Sequence, residues 1–242
     1  MSELDPDLDA RWPGFERRHP RLLDRHYLAL AGLARALEEA IPRELAGRSG
    51  LKVLDLGCGD KPYYPWLAPY CDEYVGIDRY PGPHVDHVCP AERLDVVADE
   101  SMDVVLCTQV LEHVLDPAAV VREIRRVLRP AGLCLASTHG VFVYHGQPRD
   151  YWRWTHEGLE RLFSEAGGFG RLEVLPTDGI ASAIAGLIDF YVCSLAERYW
   201  FLRWLRLTLH PALGASRRLD RYLAWSFESN PLTINYLVLA SR

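Results

Sequence analysis

Apolar positions along this chain follow two periods in turn. From residue 51 onward, short continuous apolar runs alternate with stretches of helical spacing. LKVLDL, EYVGID, MDVVLCT and GLCLAST each read as a buried strand of a parallel sheet, because a sheet covered on both faces needs side chains that avoid water on either side. Between the last two, Asp116 and Pro117 pair an N-cap acid with proline at the first helical position. Val120, Val121, Ile124, Val127 and Leu128 then form one stripe, Arg122, Glu123, Arg125 and Arg126 point away, and RPAG stops the helix. Thr155 caps a second such segment, with Leu159, Leu162, Phe163 and Ala166 on one face and an end at Gly167 and Gly168. Ahead of the strands, a polar, proline-bearing lead precedes a predicted helix from Leu22 to Leu45, with Leu30, Leu33, Ala34 and Leu37 on one face. The alternation predicts a doubly wound α/β sheet whose ligand lies at the carboxyl ends of the strands.

The C-terminal third departs from this rhythm. Residues 179 to 206 are apolar and aromatic, with Asp189 the only charge before Glu197. Residues 179 to 196 fall just short of the ~20 that cross a bilayer. Arg198, Arg203 and Arg206 alternate with Tyr199, Trp200, Phe201 and Trp204, the composition of a helix lying on a surface. A roof over the substrate pocket is the first expectation, a homodimer contact the second and peripheral membrane contact the third. LTINYLVLA (232 to 240) closes the chain as a strand. The expected divisions are a helical lead at 1–50, a cofactor-binding α/β core at 51–178, an apolar helical insert or lid at 179–230, and a last core strand within 231–242.

Composition narrows the partners. A chain of 242 residues, 49% apolar and 25% charged, can bury one core of ordinary size. Its net charge of −6 would repel a phosphate backbone, so no nucleic acid is expected. Six cysteines, at 58, 71, 89, 107, 134 and 193, lack metal-ligand spacing. They read as buried thiols in a reducing compartment, and no metal is expected. The acidic N-terminus lacks the order of a secretory signal, so the expected location is cytoplasmic, with peripheral contact at the inner membrane face as a variant.

The stretch VLDLGCGD (53 to 60) holds the candidate chemistry. A strand ending in Gly57-Cys58-Gly59 turns sharply and brings bare backbone to the mouth of the sheet. The second strand ends in Asp78, an acid placed to accept hydrogen bonds from ribose hydroxyls, so an adenosine is the expected guest. A dinucleotide site would want a third glycine where Pro62 stands, which disfavours a nicotinamide oxidoreductase. Asp55 adds negative charge suited to a cationic ligand, and an adenosine with a positive charge is S-adenosylmethionine.

VLDLGCGD, YVGID, MDVVLCTQVLEHVLDP and EIRRVLRPAGLCLAST resemble, in order and spacing, the signature segments of class I S-adenosylmethionine-dependent methyltransferases, over roughly residues 51 to 138. GDKPYYPWL and HGQPRDYWRWT are similar to segments of a bacterial small-molecule branch, methyltransferase type 11-like. The resemblance implies a Rossmann-like sheet of seven strands, the last antiparallel, with the helical insert just before it. It also implies that Asp55, Gly57, Cys58 and Gly59 line the cofactor's methionine part, and that Asp78 and Arg79 flank its ribose and adenine. Thr108, Gln109 and Val110 are implied beneath the methionine end. The acid usual after the third strand is replaced by Pro90, so the adenine contact falls to Ala91 or Glu92. Glu112 and His113 belong to a signature of structural role.

Methyl transfer needs a base only where the acceptor must lose a proton, as a hydroxyl does. His145 and His139, in the loop beyond the fifth strand, are the candidates, with Asp150 placed to orient His145. Tyr151, Trp152 and Arg153 are candidate walls of an acceptor pocket. The leading expectation is O-methylation of a sugar, a lipid-linked glycan intermediate or a secondary metabolite, releasing S-adenosylhomocysteine. The rivals are C-methylation of a quinone-like ring and a non-catalytic S-adenosylmethionine-binding partner protein.

Overall fold

Every residue of β1 (Leu51–Leu56) except Lys52 is buried, as a strand with helices on both faces requires. In the computed structural model, which describes residues 5–146, 148–223 and 232–242, β1 pairs in parallel with β2 (Cys71–Asp78) on one side and β4 (Met102–Thr108) on the other. β3 (His87–Val88) extends the β2 edge, and β5 (Leu128–His139) continues in parallel from β4. The order is β3-β2-β1-β4-β5-β7-β6, and β7 (Asn235–Ser241) runs antiparallel to both β5 and β6 (Arg171–Pro176). This is the seven-stranded sheet with a reversed last strand that the resemblance implied. The chain changes direction of winding between β1 and β4, which opens a crevice at their carboxyl ends.

Strand periodicity sorts the core into two layers. Leu54, Leu56, Val105, Cys107, Cys134 and Ala136 face α5 (Pro117–Val127) and α6 (His156–Gly167). Val53, Val104, Leu106, Leu133 and Leu135 face α3 (Tyr27–Glu44) and α4 (Tyr64–Leu67). All six cysteines are free thiols; Cys58, Cys107, Cys134 and Cys193 are buried as expected, whereas Cys71 and Cys89 are only partly covered.

Three boundaries differ from the sequence reading. The helix expected from Leu22 begins at Tyr27, because His26 takes a left-handed backbone (φ 61°) that helical geometry cannot continue. Leu128 leaves the helical stripe to open β5, since Pro130 cannot continue a helix and restricts the residue before it. The polar lead contains two short helices, α1 (Pro6–Arg11) and α2 (Phe15–Arg18), the first started by Asp5 and Pro6, the same acid-proline device as at Asp116.

The lead is tied to the glycine turn. The Arg18 guanidinium is fully buried, pairs with Asp9 at 2.6 Å and donates to the carbonyls of Pro13 and Pro62, while Trp12 Nε1 donates to the Lys61 carbonyl at 2.9 Å.

The insert forms α7 (Ile180–Arg198) and α8 (Arg203–Leu223). The Asp220 carboxylate on α8 accepts the N–H groups of Gly179, Ala181 and Ser182 and so caps α7. α7 is long and apolar enough to cross a membrane by length and composition. Asp189 nevertheless lies on its buried side, and Ile184, Ile188 and Tyr191 are exposed. Residues 224–231, where the expected insert ends, and the side chains of Arg203 and Arg206 lie outside the described residues.

Removing one member of a buried ion pair strands its partner's charge, so Arg18→Ala should cost about 3 to 5 kcal/mol of stability. Chemical denaturation of the variant checks this, and a loss below about 1 kcal/mol, the range of an exposed pair, would show the Asp9 pair to be solvated.

Candidate active site

The turn after β1 explains its glycines. Gly57 has φ 71°, and a Cβ there would stand 2.3 Å from Val110 Cγ2. Its bare Cα therefore lets the loop after β4 close against the exit of β1, which is protein packing as much as room for a ligand. The N–H groups of Gly57 and Cys58 both donate to the Ile77 carbonyl, at 2.8 and 3.0 Å. Asp78 then joins the two turns: Oδ2 accepts the Gly59 N–H and Oδ1 the Tyr80 N–H, each at 3.0 Å. Each oxygen keeps a further lone pair.

A cavity of about 690 Å³ opens at these strand ends. Gly57, Cys58, Gly59, Asp78, Arg79, Ala91, Glu92, Thr108, Gln109 and Val110 line it, as do His139 and His145. Asp55 does not. It is buried behind the turn, accepts the Tyr74 hydroxyl at 2.8 Å, and burial pushes its carboxyl up to about 7. Tyr151, Trp152 and Arg153 are also absent from the walls. Trp152 Nε1 donates to the Val114 carbonyl at 2.8 Å, its ring stacks on Trp154, and Arg153 binds Asp150 and the carbonyls of Phe142 and Val143. Trp152 and Arg153 brace the loop rather than wall the pocket, while the Tyr151 ring is exposed and its backbone N–H donates to the Glu112 carbonyl at 2.8 Å. Among the described residues, no side chain of α7 or α8 lines the cavity, where a roof was expected; Arg17, Leu30 and Leu33 of the lead line it.

His113, His139 and His145 meet on the far wall, with Glu112 buried beside them. His139 Nδ1 lies 2.7 Å from Asn235 Oδ1, and Asn235 Nδ2 donates to the Ala29 carbonyl at 3.0 Å. A carbonyl only accepts, so the amide is oriented, His139 carries its proton on Nδ1, and Nε2 keeps a lone pair. That nitrogen is 3.0 Å from His145 Nε2 and 3.4 Å from Glu112 Oε1. Burial pushes His139 down to about 3, so it is neutral and forms no ion pair with Glu112. Burial and the neighbouring His113 also lower His145, and burial raises Glu112 to about 7. Phe142 stacks on His139 at 4.2 Å. Asp150 steadies His145 through the backbone, accepting its N–H at 3.0 Å, while Arg153 holds Asp150 down to about 2.

The sequence reading missed Asn235, Phe142 and the gathering of Glu112 and His113 with His145. Asn235 lies within the last apolar strand, where one amide among aliphatic residues was the available signal. The signature reading hid that His113 lines the cavity and that Glu112 is buried beside the histidines there.

The chain matches a family described as a methyltransferase domain over residues 10–167, and it belongs to that family. Its fold is that of the class I S-adenosylmethionine-dependent methyltransferases. It is 33% identical over 138 residues to the thiol S-methyltransferase TMT1B of Homo sapiens, covering 47% of this chain and 55% of that protein. To the ubiquinone biosynthesis O-methyltransferase of Pseudomonas aeruginosa it is 35% identical over 109 residues, covering 39% and 47%. The chain thus spans about half the length of these curated relatives. Among solved structures, an S-adenosylmethionine-dependent methyltransferase from Archaeoglobus fulgidus superposes with a TM-score of 0.54 at 15% identity, covering 89% of this chain and 94% of the other. The [4+2]-cyclase SpnF gives 0.55 at 18%, covering 86% and 80%. These structural likenesses show the fold alone, and the cyclase illustrates that the fold carries more than one chemistry.

The cavity fits the family's cofactor, S-adenosylmethionine. Asp78 keeps lone pairs that suit ribose hydroxyls. Glu92 Oε1 accepts the Leu115 N–H at 3.3 Å, while its buried Oε2 accepts no hydrogen bond from the described residues and suits an adenine amine. Ile77, Cys89, Ala91 and Val110 supply apolar wall for a flat ring.

Two outcomes follow from this geometry. Asp78→Ala should weaken S-adenosylmethionine binding by about 1 to 3 kcal/mol, the loss of hydrogen bonds to a charged group, and unchanged calorimetric affinity would remove Asp78 from the site. For Asp55 the folded value lies above the unfolded 3.8, so the stability tied to its protonated form is complete below that value and is lost as pH rises through about 7. Asp55→Asn should therefore gain melting temperature relative to the parent between about pH 5 and about pH 8. A constant difference would mean that Asp55 is ionised throughout.

Proposed function

We propose that this chain is an S-adenosylmethionine-dependent methyltransferase acting on an oxygen of a small molecule, such as a sugar, a lipid-linked glycan or a secondary metabolite. One observation carries the reading: His145 and His139 stand 3.0 Å apart on the wall of the cavity that the glycine turn borders. Relatives named for a thiol and for an oxygen acceptor share one feature, an acceptor that must shed a proton.

When bound, S-adenosylmethionine supplies a methyl carbon whose bond to sulfur breaks with the electron pair staying on sulfur. His145 takes the hydroxyl proton as the acceptor oxygen bonds to that carbon. His139, pinned by Asn235, orients the His145 ring. Gly57 and Val110 pack together the two loops that border the cavity, and holding the reactants there in line contributes much of the acceleration.

The free thiols fit a reducing compartment, so we place the protein in the cytoplasm. Exposed Tyr191, Trp200 and Trp204 on the insert fit contact with a second copy or with a membrane surface.

His145→Ala should leave S-adenosylmethionine affinity within about two-fold and slow turnover by about 10²-fold or more on a hydroxyl acceptor found by panel screening. A parental rate moves the base elsewhere and favours methylation at carbon. Binding of nicotinamide dinucleotide in place of S-adenosylmethionine would end the proposal.

A further inference from the structure

The cluster on the cavity wall has more lone pairs than protons to share among them. Glu112, His113 and His145 each present a ligating atom, and these atoms all lie within 4.8 Å of one another. His113 Nδ1 bonds the Arg149 carbonyl, which only accepts, so the proton sits on Nδ1 and Nε2 is the nitrogen with a lone pair. His139 is held the same way by Asn235, with its Nε2 lone pair toward Glu112 and His145. Glu112 is fully buried; its Oε2 accepts the Thr138 hydroxyl at 2.9 Å, but Oε1 accepts no hydrogen bond from the described residues. The His145 Nε2 proton can satisfy His139 Nε2, and a proton on Glu112 can satisfy one acceptor more, but each contact holds only while that proton stays in place. A cation satisfies them all.

The outer contacts of His113 and His139 have the form that metal-ligating histidines show, in which the non-ligating N–H donates to a carbonyl or a side-chain oxygen and fixes the ring. Two imidazoles and one carboxylate suit a transition ion such as zinc, cobalt or ferrous iron better than magnesium or calcium. We propose that Glu112, His113 and His145 bind one divalent transition-metal ion in the wall of the cavity, with His139 as an adjacent fourth nitrogen. The ion would hold the acceptor's oxygen or sulfur and make its O–H or S–H more acidic; the proton would pass to water at the open mouth of the cavity, and His145 would serve as a ligand in place of a lone base. That role rests on the methyl-transfer reading; the binding of the ion does not.

The full chain, stripped by dialysis against a chelator, is titrated with cobalt(II) chloride, and visible absorption and bound cobalt per chain are measured. Calorimetry with zinc(II) chloride gives affinities, and S-adenosylmethionine affinity is measured on the same preparations. One ion per chain is expected, with ligand-field absorption. His145→Ala and His113→Ala should each weaken ion binding by about ten-fold or more. Circular dichroism and retained S-adenosylmethionine affinity show that the variants fold. The metal site is overturned if the parent takes up no ion saturably, or if the double variant binds it as the parent does. Saturable cobalt binding lost in the variants supports the site even where S-adenosylmethionine fails to bind, an outcome that would defeat only the methyl-transfer reading. S-adenosylmethionine binding without any ion defeats only the metal.

Discussion

The cavity depends on how closely the exits of β1 and β4 can approach. That approach is possible because Gly57 has no Cβ: the space a methyl would occupy is taken by Val110. Once the two loops touch, the backbone of the first turn is held by the Ile77 carbonyl, and Asp78 bonds across from the second strand to Gly59. A carboxylate already holding two backbone amides is rigid before any ligand arrives, so little ordering cost remains for a nucleoside that meets it.

The N-terminal lead belongs to the same arrangement. Arg18 is buried between Asp9, the Pro13 carbonyl of the lead and the Pro62 carbonyl just after the turn, and Trp12 reaches the Lys61 carbonyl. These contacts set α2 and α3 over the cavity, where Arg17 and Leu33 become walls. Among the described residues, the start of the chain supplies part of the site's cover. The apolar insert, with its own cap at Asp220, packs beside α3 and leaves aromatic side chains exposed.

On the opposite wall, polarity is organised from the last strand. Asn235 takes its orientation from a carbonyl on α3 and passes it to His139, whose lone pair then faces His145 and Glu112. Three regions distant in sequence fix one ring nitrogen. The same lone-pair excess serves a proton acceptor and a cation site, and this is why the cluster bears on both the proposed chemistry and the proposed ion.

The strands, the connecting helices and the glycine turn were legible in the sequence because each follows from local rules: period-two burial, caps and the need for positive φ at Gly57. Asp78 was legible for the same reason, as the terminal residue of a recognisable strand. Asp55 was assigned to the cavity but is turned behind it, because strand alternation points its side chain to the Tyr74 hydroxyl. Tyr151, Trp152 and Arg153 looked like a pocket wall from their chemistry, yet the Trp152 and Arg153 side chains reach the carbonyls of Val114 and Val143, which only loop closure brings near. The convergence of Glu112, His113, His139 and His145 with Asn235 was decided by tertiary structure alone. It depends on which strand β5 takes as its antiparallel neighbour, and long-range pairing of that kind leaves no periodic trace along the chain.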